Sequence, residues 1–187
     1  MRTRGVGVAL VLILLVAGSA RADTIGLYAD IAGTNCNIEL QSNLTYVHVV
    51  HVTNGSTGCA FMAPRPECLT GAIWVTDQCV LPPPACCCGD SQAGMTWDYG
   101  FCQSGTLEIA RIVYRRGPLQ NPCCVYPVLP HPNSPGGQPL VVDCNSNSVP
   151  ATVLVATVMG DPVACPCGYP VPVEETTWGR VKALYTQ

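Results

Sequence analysis

Beyond its first two dozen residues the chain alternates between short β-favouring runs and turn-rich breaks, with almost no helical periodicity. The runs are 25–30, 43–53, 59–63, 72–76, 94–99, 105–114, 139–143 and 151–159. The second is dense in Val, Tyr and Thr, and Asn54-Gly55 after it reads as a turn. Runs 105–114 and 151–159 are nearly continuous in apolar residues, as buried central strands are. Leu81-Pro82-Pro83-Pro84 cannot lie in a central strand, because proline brings no ladder N–H, and the proline-rich stretch 129–139 is expected as an exposed loop. This pattern predicts an all-β fold: a single disulfide-stapled antiparallel β-sandwich, Ig-like, of seven to eight strands over 23–168. Residues 169–187 change character. Trp178, Val181 and Tyr185 recur at i, i+3 and i+7, with Glu174 and Glu175 before them and Arg180 and Lys182 among them, the order a short helix favours. That segment is expected as a helix or tail docking on the sandwich edge, or engaging another protein.

The start of the chain has a different pattern. Arg2 and Arg4 precede an unbroken apolar run over 8–17, and Ala20-Arg21-Ala22 precedes Asp23, the basic, apolar, small-residue order of a cleavable secretory signal over 1–22. The apolar run is roughly half of what a membrane-spanning helix needs, so no membrane span is expected after cleavage. Cleavage would remove three of the nine basic residues and leave six against twelve acidic ones, moving the net charge from −3 to −6. That balance argues against nucleic acid and anionic membranes as partners, since both call for a basic patch. The expected location is secreted or periplasmic.

Export decides how the thirteen cysteines are read: Cys36, Cys59, Cys68, Cys79, Cys86, Cys87, Cys88, Cys102, Cys123, Cys124, Cys144, Cys165 and Cys167. Oxidising compartments preserve disulfides, so all thirteen are disulfide candidates, and the odd count leaves at least one unpaired within the chain. Connectivity is not legible in the sequence. Cys86-Cys87-Cys88 and Cys165-Pro166-Cys167 lack the two-to-four-residue spacing of structural zinc pairs, and adjacent cysteines on an extended segment point to opposite sides. A thiol-based metal-binding or redox protein is therefore the alternative, not the leading reading. His48 and His51 would point to opposite faces of the strand over 43–53, and His131 lies in the proline-rich loop. With no Gly-x-Ser-x-Gly elbow, a hydrolase with an unrecognised site is the third reading. No cofactor is implied. Met95, Trp97 and Tyr99 share one face of a strand. Facing inward they are core; facing outward, Trp97 and Tyr99, together with Trp178, are candidates for a binding surface. Asn43-Leu44-Thr45 and Asn54-Gly55-Ser56 match the N-glycosylation pattern.

The opening Ile25-Gly26-Leu27-Tyr28-Ala29-Asp30, the stretches Asp90-Ser91-Gln92-Ala93-Gly94 and Tyr99-Gly100-Phe101-Cys102, the Cys123-Cys124 pair and Val142-Asp143-Cys144 resemble those of cysteine-rich exported proteins of environmental bacteria. The most specific element is the ending Trp178-Gly179-Arg180-Val181-Lys182-Ala183-Leu184-Tyr185. The resemblance implies a bacterial exported protein, makes eukaryotic glycosylation less expected, and transfers no activity, ligand or catalytic residue. Taken together, the expectation is a non-enzymatic structural or binding module whose partner is a protein or carbohydrate at the cell surface.

Overall fold

The computed structural model describes residues 23–41, 43–83, 85–117, 122–161 and 164–167, without the side chain of Cys86. The leader expected at 1–22 and the segment 169–187, with Trp178, lie outside these residues.

Alternating burial builds twelve strands among the described residues: β1 Thr24–Tyr28, β2 Asn37–Ile38, β3 Leu44–Met62, β4 Ala72–Cys79, β5 Cys86–Asp90, β6 Gly94–Arg116, β7 Cys124–Tyr126, β8 Leu129–Pro130, β9 Leu140–Asp143, β10 Ser148–Pro150, β11 Thr152–Leu154 and β12 Ala156–Val158. The protein is all-β, but with more strands than the seven or eight expected. The excess comes from short strands such as β2, β5, β7, β8 and β10, because the two long strands each merge two expected runs. Asn54-Gly55 is not a turn; β3 runs through it and joins the runs at 43–53 and 59–63. β6 likewise joins 94–99 to 105–114. The ladder between them is irregular at Thr53/Ser56 and Ser56/Gly58, and two glycines at positive φ mark the break: Gly105 (φ 101°), opposite Thr53, and Gly55 (φ 150°), which has no partner in the ladder. A side chain at either glycine would be strained there.

The bend divides the nine-stranded sheet into two halves. One is the ladder β11-β1-β3-β6-β4, using the first part of β3 and the last part of β6. The other is β10-β9-β3-β6-β5, with β8 beside the end of β3. Val47, Val49, Ile112 and Tyr114 of the first half share one core with Cys59, Phe61, Met95, Trp97 and Val141 of the second. A small sheet, β2-β12-β7, adds Ile38, Tyr126, Ala156 and Val158 to the same core and completes the β-sandwich. Inside it, Tyr114 donates to the Tyr126 hydroxyl (2.8 Å), which donates to the Ala63 carbonyl (2.8 Å), so the buried phenols are paired rather than orphaned.

Two further expectations are corrected. Run 151–159 is not one central strand: β11 pairs with β1 and β12 with β2 and β7, so the chain passes from one sheet to the other at Val155. The sheets are also not purely antiparallel, because β1·β11 and β2·β12 run parallel. Both follow from late segments returning to the outer edges of early strands, a long-range choice that local pattern does not encode.

Among the described residues five disulfides tie the fold: Cys36–Cys167, Cys68–Cys124, Cys79–Cys87, Cys102–Cys144 and Cys123–Cys165. Cys79–Cys87 joins β4 and β5, the outer strands of the two halves. Cys165 and Cys167 bond to different partners, so Cys165-Pro166-Cys167 is two bridges and not one thiolate pair. Cys59 and Cys88, both offered by the sequence as bridge candidates, are free thiols. Cys59 points into the core, while Cys88 is exposed because it follows Cys87 on an extended strand and faces the other way. Burial pushes the Cys59 thiol up to about 12, against a weaker downward pull from the Tyr99 hydroxyl. Cys88 should therefore be alkylated by iodoacetamide in the folded protein and Cys59 only after unfolding, as read by peptide mass spectrometry. Labelling of Cys59 under native conditions would show that the core here is open.

Candidate functional site

The outward face of the β11-β1-β3-β6-β4 ladder carries a charged cluster among exposed apolar side chains. It depends on one extra residue. Arg111 and Glu108 are three apart on β6, and on a regular strand they would point to opposite sides. Register puts Ala110 opposite Val49 but Glu108 opposite Val50, so Ile109 is a bulge. The bulge flips the parity of β6, and Glu108 joins Arg111 on the outward face. There the Arg111 guanidinium clamps both carboxylate oxygens (Nε to Oε1 2.7 Å, a terminal nitrogen to Oε2 2.9 Å). His48, opposite Arg111 on β3, donates from Nδ1 to Glu108 Oε1 at 2.5 Å. Burial alone would raise the Glu108 carboxyl, but the hydrogen bonds from Arg111 and His48 outweigh it and hold it below the usual carboxylate range. A bidentate clamp of this kind fixes geometry as well as charge.

Apolar side chains surround this cluster. Leu44 and Tyr46 on β3 are each 42% exposed, and Ile73 and Val75 on the outer strand β4 are 49% and 47% exposed. Register aligns Leu44, Arg115 and Ile73 in one row across the sheet, and Tyr46, Val113 and Thr76 in the next. Val52, also exposed, continues the face beyond the cluster. Two grooves flank it. One, of about 450 Å³, is lined by Asn35, Asn37, Glu39, Leu44, Tyr46 and His48 among others. The other, of about 760 Å³, is lined by Thr24, Tyr28, Val52, Thr106, Thr152 and Leu154 among others. Tyr28 lies back across its own strand, because a Cβ at Gly26 would stand 2.6 Å from its ring. Burial, and then the nearby Asp30 carboxylate, raise the Tyr28 phenol.

A second titratable cluster lies in the core. His51 points inward from β3 and is fully buried. Tyr99 donates to Cys59 Sγ (3.1 Å), so its oxygen accepts from His51 Nδ1 (2.7 Å), which fixes the proton on Nδ1. His51 Nε2 has no hydrogen-bond partner among the described residues, and Asp23 Oδ2 lies 3.9 Å from it. Burial pulls the His51 imidazole down to about 4, against a smaller upward pull from Asp23. The imidazole is neutral at physiological pH and shielded from any substrate.

The structure separates the sequence candidates accordingly. His48 and His51 occupy opposite faces of β3. Met95, Trp97 and Tyr99 do share a face, but it faces the core: Trp97 is 5% and Tyr99 1% exposed. The aromatic platform is thus not available at Trp97 and Tyr99, because the bend in β6 turns this half of the strand over the first. His131 accepts from the Asn133 N–H in its own loop (3.1 Å), apart from either cluster. No group of three or more His, Cys, Asp or Glu converges on a metal-sized site among the described residues. The Arg111–Glu108–His48 cluster was not singled out by the sequence, since sixty residues separate its halves and only the bulge brings them together.

The fold and its bridges define a disulfide-stapled β-sandwich. No family model matches the chain, and no curated protein does. Among solved structures it is similar to the sixth cohesin of Acetivibrio cellulolyticus scaffoldin B, solved with a Cel5 dockerin mutant, at 13% identity over 75% of this chain and 99% of that one, with a TM-score of 0.48. A non-cellulosomal cohesin from the archaeon Archaeoglobus fulgidus gives 11% identity over 75% and 91%, also at 0.48. A cohesin module of a Clostridium perfringens family 33 glycoside hydrolase gives 5% over 75% and 98%, at 0.47. No helix of the described residues is long and apolar enough to cross a membrane.

Proposed function

We propose that the chain is exported by its first 22 residues and works outside the cytoplasm as a non-enzymatic binding module. Its recognition surface is the outward face of the β11-β1-β3-β6-β4 ladder, and its partner is a protein at the cell surface. One observation carries this reading: exposed Leu44, Tyr46, Val52 and Ile73 share a face with the hydrogen-bonded Arg111–Glu108–His48 cluster. Tyr and Arg within a partly apolar patch are the composition of interface hot spots. Ten cysteines committed to bridges support the export half, because such bonds persist in oxidising compartments.

The test immobilises the mature protein and passes the host's own cell-surface protein fraction over it. Tyr46→Asp with Ile73→Asp places charge on the face, and Phe101→Asp, an exposed position on the other half of β6, serves as the control. The expected result is a retained protein whose affinity drops by about tenfold or more in the face variant and not in the control. Equal retention by all three, or retention of a polysaccharide and no protein, would overturn the reading.

A further inference from the structure

We infer that the protein recognised by the outward face presents a carboxylate, from an aspartate or glutamate set among apolar side chains, and that Arg115 receives it. The inference rests on the binding role proposed for this face and names the chemistry of the partner.

Among the described residues the basic side chains, histidines aside, are Arg65, Arg111, Arg115 and Arg116. Three of the four are engaged within the fold. Arg111 clamps Glu108 through two nitrogens (2.7 and 2.9 Å). Arg65 donates to the Ala72 carbonyl (2.9 Å) and Arg116 to the Leu40 carbonyl (3.4 Å). Arg115 differs. It is exposed, and its guanidinium has no hydrogen-bond or ion-pair partner among the described residues.

Its place on the sheet gives that free charge a consequence. From Arg111 to Arg115 the register against β3 is regular, so Arg115 shares the outward face with Arg111. It stands on β6 directly between Leu44 on β3 and Ile73 on β4, both exposed. Neighbouring strands are about 5 Å apart, so a partner that closes over Leu44 and Ile73 closes over Arg115 as well. A guanidinium left unpaired in a dry contact opposes binding strongly. A carboxylate removes that penalty, because it accepts two of the N–H groups in parallel and fixes the partner's orientation.

The neighbouring charges favour a discrete carboxylate over a continuous polyanion. Glu39 is exposed and lines the groove beside Leu44 and Tyr46, and Glu108 stands further along the same face. A polyanion laid across the face would meet both carboxylates. A protein segment can place one acidic residue over Arg115 and apolar ones over Leu44, Tyr46 and Ile73.

The probe is the host's cell-surface protein fraction, passed over the immobilised mature protein either untreated or with its carboxylates amidated by carbodiimide and glycinamide. Arg115→Gln should lower the affinity of the retained protein about tenfold. Arg116→Gln removes the same charge from the next position, which points to the other side of the strand, and should change it less than about twofold. Urea midpoints of both variants should match the wild type. The amidated fraction should not be retained by the wild type, an arm that needs no variant to fold. Equal weakening by the two variants, full retention of the amidated fraction, or retention that survives proteinase K and so belongs to an acidic polysaccharide would overturn the inference. A retained protein that is lost in the Tyr46→Asp, Ile73→Asp variant but not in Arg115→Gln would keep the binding face and remove the carboxylate. No retained protein at all would remove both.

Discussion

Replacing Cys36 and Cys167 together by serine is expected to cost about 4–5 kcal/mol of unfolding free energy, the largest effect of any bridge. The two residues are 131 apart in sequence, and the cost of closing a loop in the unfolded chain grows with the logarithm of its length. Cys123–Cys165 already brings Cys167 close to residue 123, which shortens the effective loop but changes a logarithm little. The bridge also holds the 35–37 segment, where Thr157 donates to the Cys36 carbonyl (2.9 Å) and β2 pairs with β12. Losing it would loosen the small sheet that closes one side of the core. Urea unfolding followed by tyrosine and tryptophan fluorescence measures the change. A loss below about 1 kcal/mol would mean that the small sheet is held by packing alone.

The second large effect is acid sensitivity set by His51. In the unfolded chain this imidazole titrates near its ordinary value of 6.5, and in the core at about 4. Between those values the unfolded chain binds a proton that the fold refuses. Stability is therefore full above about pH 6.5, falls as pH drops through the window, and stops falling on this account below about 4. The total is about 3 kcal/mol, an order-of-magnitude figure. Glu108, Asp30 and Asp143, whose carboxyls are held below the usual range by their hydrogen bonds, act in the same direction but lower down. Their contribution is present above the ordinary carboxyl value and is lost as pH falls toward their folded values. His51→Leu should flatten the upper window and leave the lower one. An unchanged pH profile in that variant would contradict the burial of His51.

What the sequence made legible is what local pattern and chemistry can carry. The alternation over 43–53 places His48 and His51 on opposite faces, and the continuous apolar run 105–114 marks a central strand. The density of cysteine points to bridges. What escaped depends on partners far along the chain. Asn54-Gly55 has the composition of a turn, yet β6 and β9 pair with β3 on both sides beyond it and carry the strand through. The split of 151–159 at Val155 reflects two different sheets competing for adjacent residues. Met95, Trp97 and Tyr99 were rightly placed on one face, but which side that face takes is set by the bend at Gly55 and Gly105. The Arg111–Glu108–His48 cluster was illegible for a sharper reason: one bulged residue, Ile109, reverses the parity on which any strand-based prediction rests.

Mapping the disulfides tests the bridged sandwich, and the export proposed for it, most directly. Mass spectrometry of non-reduced peptides from the protein collected outside the host's cytoplasm should find Cys36 joined to Cys167, Cys68 to Cys124, Cys79 to Cys87, Cys102 to Cys144 and Cys123 to Cys165, on a chain that begins at Asp23. Reduced thiols at these ten positions, or Cys36 and Cys68 bonded to other partners, would contradict it.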